Sequence, residues 1–496
     1  MSYNESRIRE LNKEPIQLEK KYILYWMTSY RRLESNHSLD LALEYSKKYK
    51  KELIILEALR KDYKWNSKRI HQFILQGMVE NKKQAEKLGL TYWCYVETDK
   101  YSKKGLLYKL AEEAVVVITD DFPCFIVPKQ IENFANKVKR KVIAVDSNSI
   151  IPLSKYGETA SAARVLRPRI HKLFSEAYTH RAKVKISKKD FYYTENKTIA
   201  PFQEFDLNIE STLSSIRFQN EVSPISYVTG GFKEANKILD EFIKKKLNQY
   251  ADERSNPHSP SLTPSSGLSP YLHFGHISVE TIVTKILDWS VEGEWSIEAI
   301  DLKNKGDKDI FFSPNLNINS YFDELLTWRD IGYLFFWKKK EFNKDLNSLP
   351  DWIKSNLKKH TNDKREYLYT LKEFESASTH DPLWNAAQNE LVYTGKMHNY
   401  MRMLWGKKVI EWSSSYEEAF QILEELNNKY ALDGRNPNSY TGILWCFGLF
   451  DRPWFPERNV HGVLRYMSSD STKRKFKMQE YLNYTDKLVD KSSSLF

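Results

Sequence analysis

Cysteine is scarce in this chain: Cys94, Cys124 and Cys446 are the only three in 496 residues. They form no CxxC pair and no histidine-paired metal spacing. That argues against a zinc site or a disulfide scaffold, and for a reducing compartment. Long apolar runs are missing too. None approaches the roughly 20 residues needed to span a bilayer. The first residues, MSYNESRIRELNKEP, are polar and charged with no apolar core segment, so no secretory signal is expected. The expectation is a soluble intracellular protein, nuclear or cytoplasmic, with no metal and no membrane.

What is present is aromatic and basic. Aromatic residues make up 14% of the chain, and Lys+Arg outnumber Asp+Glu by 76 to 65, for a net charge of +11. A basic surplus suits a polyanionic partner, because each neutralised phosphate releases counterions. Charge alone leaves nucleic acid and no nucleic acid equally open. The length exceeds one ordinary core, so two or three domains are expected.

The first third alternates short apolar runs with amphipathic stretches. Strands are expected at Tyr22–Met27, Leu53–Leu59, Tyr92–Val96, Val115–Thr119 and Val142–Val145. Between them Ile70–Leu88 has Ile70, Phe73, Ile74, Gly77 and Met78 at helical spacing. Alternating strand and helix imply a doubly wound, Rossmann-like parallel sheet. No GxGxxG follows the first strand, so the usual dinucleotide fingerprint is absent there. The pattern turns ragged and basic near Phe174, and beyond Phe218 helical patterns dominate. The expected division is an α/β domain over 20–173, a linker over 174–217 and an all-helical domain over 218–496. Ten of the thirteen tryptophans lie beyond Glu280, so whatever the indoles serve belongs to the helical half.

The densest signal is HDPLWNAAQNELVYTGKMHNYMRMLWGKKVIEW, His380 to Trp412. On a helix Asn399, Arg402 and Met403 share a face, while Trp405 and Trp412 stand seven apart, about 10 Å along the axis. Aromatics at helical spacing usually mean core packing. A polar and thioether stripe beside a row of indoles also suits a redox cofactor with an electron relay.

This segment resembles the flavin-binding region of the photolyase/cryptochrome superfamily, specifically the class II cyclobutane pyrimidine dimer photolyases. YALDGRNPNSYTGILWCFGLFDRPWFPERNVHGVLRYM (Tyr430 to Met467) and LYWMTSYRRLESNHSLDLA (Leu24 to Ala42) resemble the same class. The resemblance implies bound FAD, two-electron reduced in the working state, and DNA carrying cyclobutane dimers as partner. It implies an α/β antenna domain that holds a deazaflavin-type second chromophore or none. No obligate protein partner is implied, and a monomer is expected.

Residue by residue, the resemblance assigns Tyr250 and the segment Ser265, Ser266, Gly267, Leu268, Ser269 to the cofactor, the latter as a pyrophosphate cradle. Its plain alternative is a Pro/Ser surface loop, SNPHSPSLTPSS, leading into a helix. A helix start favours an anion there, and Gly267 replaces a larger polar residue common in the family. Arg402 and Asp433, otherwise an unremarked salt bridge, would sit beside the flavin ring, and Asn427 would face flavin N5, with neighbouring Asn428 a competing assignment. Trp405, Trp384 and Trp412 would be the proximal, middle and surface members of a photoreduction relay. Glu324, Trp328, Asn399, Met403 and Trp445 would line the lesion pocket. Photolyases flip their target base out of the stack, and aromatic faces can receive it. Asn399 and Met403 stand where the (6-4) photolyases carry histidines, which favours cyclobutane splitting: an electron is lent and returned with no catalytic acid. Arg465, Lys473 and Arg474 would grip DNA. Two other readings stay open: a cryptochrome-like light sensor without repair, disfavoured by the short stretch after Met467, and a helical nucleic-acid binder without flavin.

Overall fold

The computed structural model describes residues 4–257, 263–290, 297–338 and 345–493. Part of the Pro/Ser loop, residues 258–262, lies outside them. The strands form where the apolar runs stand. Tyr22–Met27 (β2), Glu52–Leu59 (β3), Thr91–Val96 (β4), Ala114–Asp120 (β5) and Val142–Val145 (β6) are buried almost throughout. Burial on both faces is what a parallel sheet between helices demands. The sheet order is β1-β6-β5-β2-β3-β4, with β2 parallel to both β3 and β5. One strand was not legible beforehand: Ile8–Glu10 (β1) pairs antiparallel with β6. Three residues reading IRE carry no alternation to detect. From residue 163 onward, the described residues are helical and irregular with no strand. The architecture is therefore α/β followed by all-α, as expected from the sequence.

Contacts among the described residues fix the two parts against each other. The helix Lys68–Leu88 has Gly77 facing His276, where an added Cβ would lie 2.4 Å from the imidazole, so glycine permits this close approach. Buried Glu280 accepts from His37 Nε2 at 2.7 Å and from the Ala182 N–H at 3.0 Å. Buried Asp330 accepts from Ser149 Oγ and Tyr156 Oη, both at 2.5 Å.

The helices that carry the candidate residues have conventional starts. Pro382–Thr394 opens on Asp381, whose carboxylate accepts from the N–H groups of Leu383 and Trp384, with Pro382 at its first position. Asn399–Trp412 is capped by His398 Nδ1, which accepts from the Tyr400 N–H at 3.2 Å. Pro437–Cys446 is capped by Asn436 and Tyr416–Tyr430 by Ser415. Gly406 lets Asn399–Trp412 approach Pro437–Cys446: an added Cβ would lie 2.3 Å from Cys446 Sγ. Likewise Gly332 faces Asn438 and Thr441. The helices bearing Trp328, Arg402 and Trp445 are thereby drawn together.

Candidate functional site

Arg402 and Asp433 meet, but loosely. Arg402 Nη2 lies 3.5 Å from Asp433 Oδ1, and Nη1 donates to Asn427 Oδ1 at 3.2 Å. Among the described residues the buried Asp433 Oδ1 accepts no hydrogen bond, and Arg402 is 25% exposed. A buried carboxylate oxygen left this way carries a desolvation cost unless another donor reaches it. The pair therefore fits a bound polar group better than a closed salt bridge. The Asn427/Asn428 alternative is separated by geometry. Asn427 faces Arg402, whereas Asn428 accepts from the Arg435 N–H at 2.9 Å and donates to Tyr440 Oη at 3.2 Å.

The indoles lie in series. Trp405 and Trp384 stack with centroids 6.5 Å apart at 10°, and Trp384 and Trp412 meet at 6.2 Å and 63°. The expectation that Trp412 is the surface end does not hold: it is only 2% exposed. His380 packs on it at 4.8 Å and Tyr369 at 5.8 Å, and Tyr369 Oη bonds His380 Nδ1 at 2.7 Å. Tyr367 stacks on His380 at 3.7 Å, and both of these are exposed. Sequence reasoning missed this cover because Tyr367 and Tyr369 precede the dense segment and show no periodicity with it.

Trp328 and Trp445 also come together, as a stacked pair 4.8 Å apart at 17°, each half-buried. Stacked, each has only its outer face free, and a base enters between them only if they part. Glu324 precedes Trp328 in a wide-turn helix, Asp323–Trp328; such insertions often mark functional sites. Its partner was not foreseen: Arg254 Nη1 donates to Glu324 Oε1. Burial lifts the Glu324 pKa, with Arg254 pulling the other way.

Asn399 is exposed at the head of its helix, with Met403 half-buried one turn on. Lys475 lies over Tyr400 at 5.2 Å. Exposed Lys473 and Arg474, on the helix Ser469–Lys475, therefore stand near the Asn399 end. Arg465 and Arg452 lie over Trp454 at 5.3 and 4.6 Å, beside Phe455, which is 78% exposed.

In the expected cradle, Ser265, Gly267 and Ser269 are exposed and Leu268 is buried. Ser266 Oγ faces the Leu268 N–H at 3.4 Å. Gly267 has φ +68, a conformation that side chains disfavour. The departure from a larger residue there thus has a backbone reason. The helix that follows, Ser269–His273, is a single short turn, too little to supply the expected dipole. Tyr250 is buried, edge-on to Tyr321 at 5.1 Å.

The chain is similar over its whole length to curated proteins. It is 33% identical to the deoxyribodipyrimidine photo-lyase of Methanothermobacter thermautotrophicus, over 98% of this chain and 99% of that one. It is 29% identical to the photo-lyase of the same name from Arabidopsis thaliana, over 99% and 94%, and 28% identical to that of Potorous tridactylus, over 97% and 84%. This chain belongs to the deoxyribodipyrimidine photo-lyase family. No family model matches it. In fold it is similar to a bacterial class III photolyase from Agrobacterium tumefaciens, with a TM-score of 0.64 and 17% identity, over 94% of this chain and 86% of that one.

The photo-lyase fold of this chain also forms an open cleft of about 1070 Å³ at the carboxyl ends of β2 to β5. Trp26, Tyr63, Tyr95, Phe122 and Phe125 line it, with Arg31 and Arg435. In open α/β sheets ligands bind at that edge, where strand order reverses; here it reverses between β5 and β2. Among the described residues no helix is long and apolar enough to cross a membrane, and no acidic, histidine or cysteine cluster is placed to hold a metal.

Proposed function

We propose that this photo-lyase family member is a class II enzyme that splits cyclobutane pyrimidine dimers in DNA by light. The observation that carries the reading is the indole series Trp405, Trp384 and Trp412, starting one residue turn from Arg402 on a shared helix. A plain core has no need to align such rings from the helix of a loosely paired, partly exposed arginine.

FAD, when bound, would supply light-driven one-electron chemistry, the electron being lent to the dimer and returned. Arg402 holds a fixed positive charge beside the ring, and Asp433 and Asn427 orient its guanidinium. Tyr250 and the Ser265–Ser269 backbone hold the rest of the cofactor. Trp328 and Trp445 stack on the flipped dimer, Met403 packs against it with a soft thioether, and Asn399 offers an amide that moves no proton. Glu324 meets the polar edge of the dimer, and Arg254, which donates to Glu324 Oε1, fixes its orientation. Arg465, Lys473 and Arg474 meet phosphates, and the Trp454–Phe455 loop lies against the same strand. The cleft of the α/β part takes a second chromophore of deazaflavin type.

Purified protein with a dimer-bearing oligonucleotide, under blue light and in the dark, tests the reading. Light-dependent loss of dimers, with (6-4) products untouched, is expected. Flavin-loaded, fully reduced protein that binds the lesion and leaves it intact under light would instead favour the sensor reading.

A further inference from the structure

What the indole N–H groups meet distinguishes the inner members of the series. Trp405 Nε1 donates to Gln388 Oε1 at 2.9 Å, and Trp384 Nε1 donates to the Trp405 carbonyl at 3.0 Å. Trp384 and Gln388 are both fully buried, and stand one turn apart on one helix face. The amide's orientation follows from chemistry. An indole nitrogen only donates, so the carboxamide oxygen must face it, leaving Nε2 for the Glu375 carbonyl at 3.4 Å. Neither acceptor is a base of any strength. The nearby carboxylates are engaged elsewhere: Glu375 with Lys429 and Tyr430, Glu390 with Tyr481 and the His398 N–H.

An indole that has lost an electron is far more acidic than a neutral one. With a base in reach it sheds its N–H proton, and the resulting neutral radical no longer passes the charge on easily. We infer that Gln388 and the Trp405 carbonyl act as proton locks, keeping the two inner indoles protonated when oxidised so that the positive charge can travel only outward or back. The inference rests on the photoreduction reading above. The balance is simple. The excited oxidised flavin gains one electron and Trp405 loses one, its proton staying on Nε1. Trp384 then gives an electron to Trp405, which returns to neutral indole, and Trp384 keeps its own proton in turn. Gln388 acts through Trp405 and is a positioning residue.

The test uses the full chain loaded with FAD, followed by transient absorption. In the parent, the charge steps inside the series should show no solvent deuterium effect, since no N–H bond breaks. In Trp384→Phe the charge is confined to Trp405; the spectrum should be that of a protonated radical cation, decaying only by return of the electron. In Trp384→Phe/Gln388→His an imidazole faces the same N–H, and a long-lived neutral indole radical with a deuterium effect should replace the cation. Prompt deprotonation of Trp405 with Gln388 intact overturns the lock, as does an unchanged radical cation in the histidine variant. Where that variant does not load flavin, the isotope measurement on the parent still decides. Failure of any tryptophan radical to form in the parent overturns the photoreduction reading itself, and the lock with it.

Discussion

The same residue builds two different devices within the helical half. Trp405, Trp384 and Trp412 are buried and packed edge or face at just over 6 Å, and the N–H groups of the first two are hydrogen-bonded. Trp328 and Trp445 are half-buried and stacked closely on each other. Burial without solvent or strong bases suits a group that must exchange electrons and stay in place. A half-exposed stacked pair suits a surface that must part and take another ring. Indole supplies the polarizable ring in both, and surroundings decide its use.

The largest contrast should come from Trp405→Phe. Photoreduction of oxidised FAD should be lost, while repair by chemically pre-reduced protein is retained; spectra under steady illumination and a repair assay measure the two. A pre-reduced variant that cannot repair would remove the distinction between the groups. Trp328→Ala should do the reverse, leaving photoreduction intact and weakening lesion binding by roughly 1–3 kcal/mol, read from a binding titration with dimer-bearing DNA.

Glu324→Gln sharpens the pocket side. Burial raises the folded-state pKa of Glu324 above its unfolded value, so its protonated form is favoured on folding. Its contribution to stability is full below the unfolded pKa and is lost as pH rises through the folded one. Splitting yield on saturated complexes should fall over the same rise if the protonated carboxyl donates to the dimer. Both declines should be absent in the glutamine variant, measured by denaturation and by quantum yield across pH. Equal profiles for variant and parent would leave Glu324 a binding residue only. The smallest effect is optical. A collisional quencher should lose part of its effect on tryptophan fluorescence in Trp445→Phe and keep it in Trp412→Phe, whose indole is 2% exposed. Equal loss in both would mean that Trp412 is reached by solvent after all.

Much was legible from local pattern. Apolar runs such as YILYWM fixed the strands because a doubly covered sheet needs them buried on both faces, and the helix around Phe73 followed from its spacing. The short polar strand Ile8–Glu10 was not legible, because its pairing with β6 supplies what its residues do not. Asn427 and Asn428 were indistinguishable by position; neighbouring helix residues point about 100° apart, and only packing shows which one meets Arg402. The residue types of the proposed relay and pocket are thus a property of the sequence. That Trp412 is covered by His380 and Tyr369, that Arg254 holds Glu324, and that Gln388 bonds Trp405 were decided by the tertiary structure alone. Spacing along one helix states which residues share a face, but partners on other segments are chosen by how those segments pack.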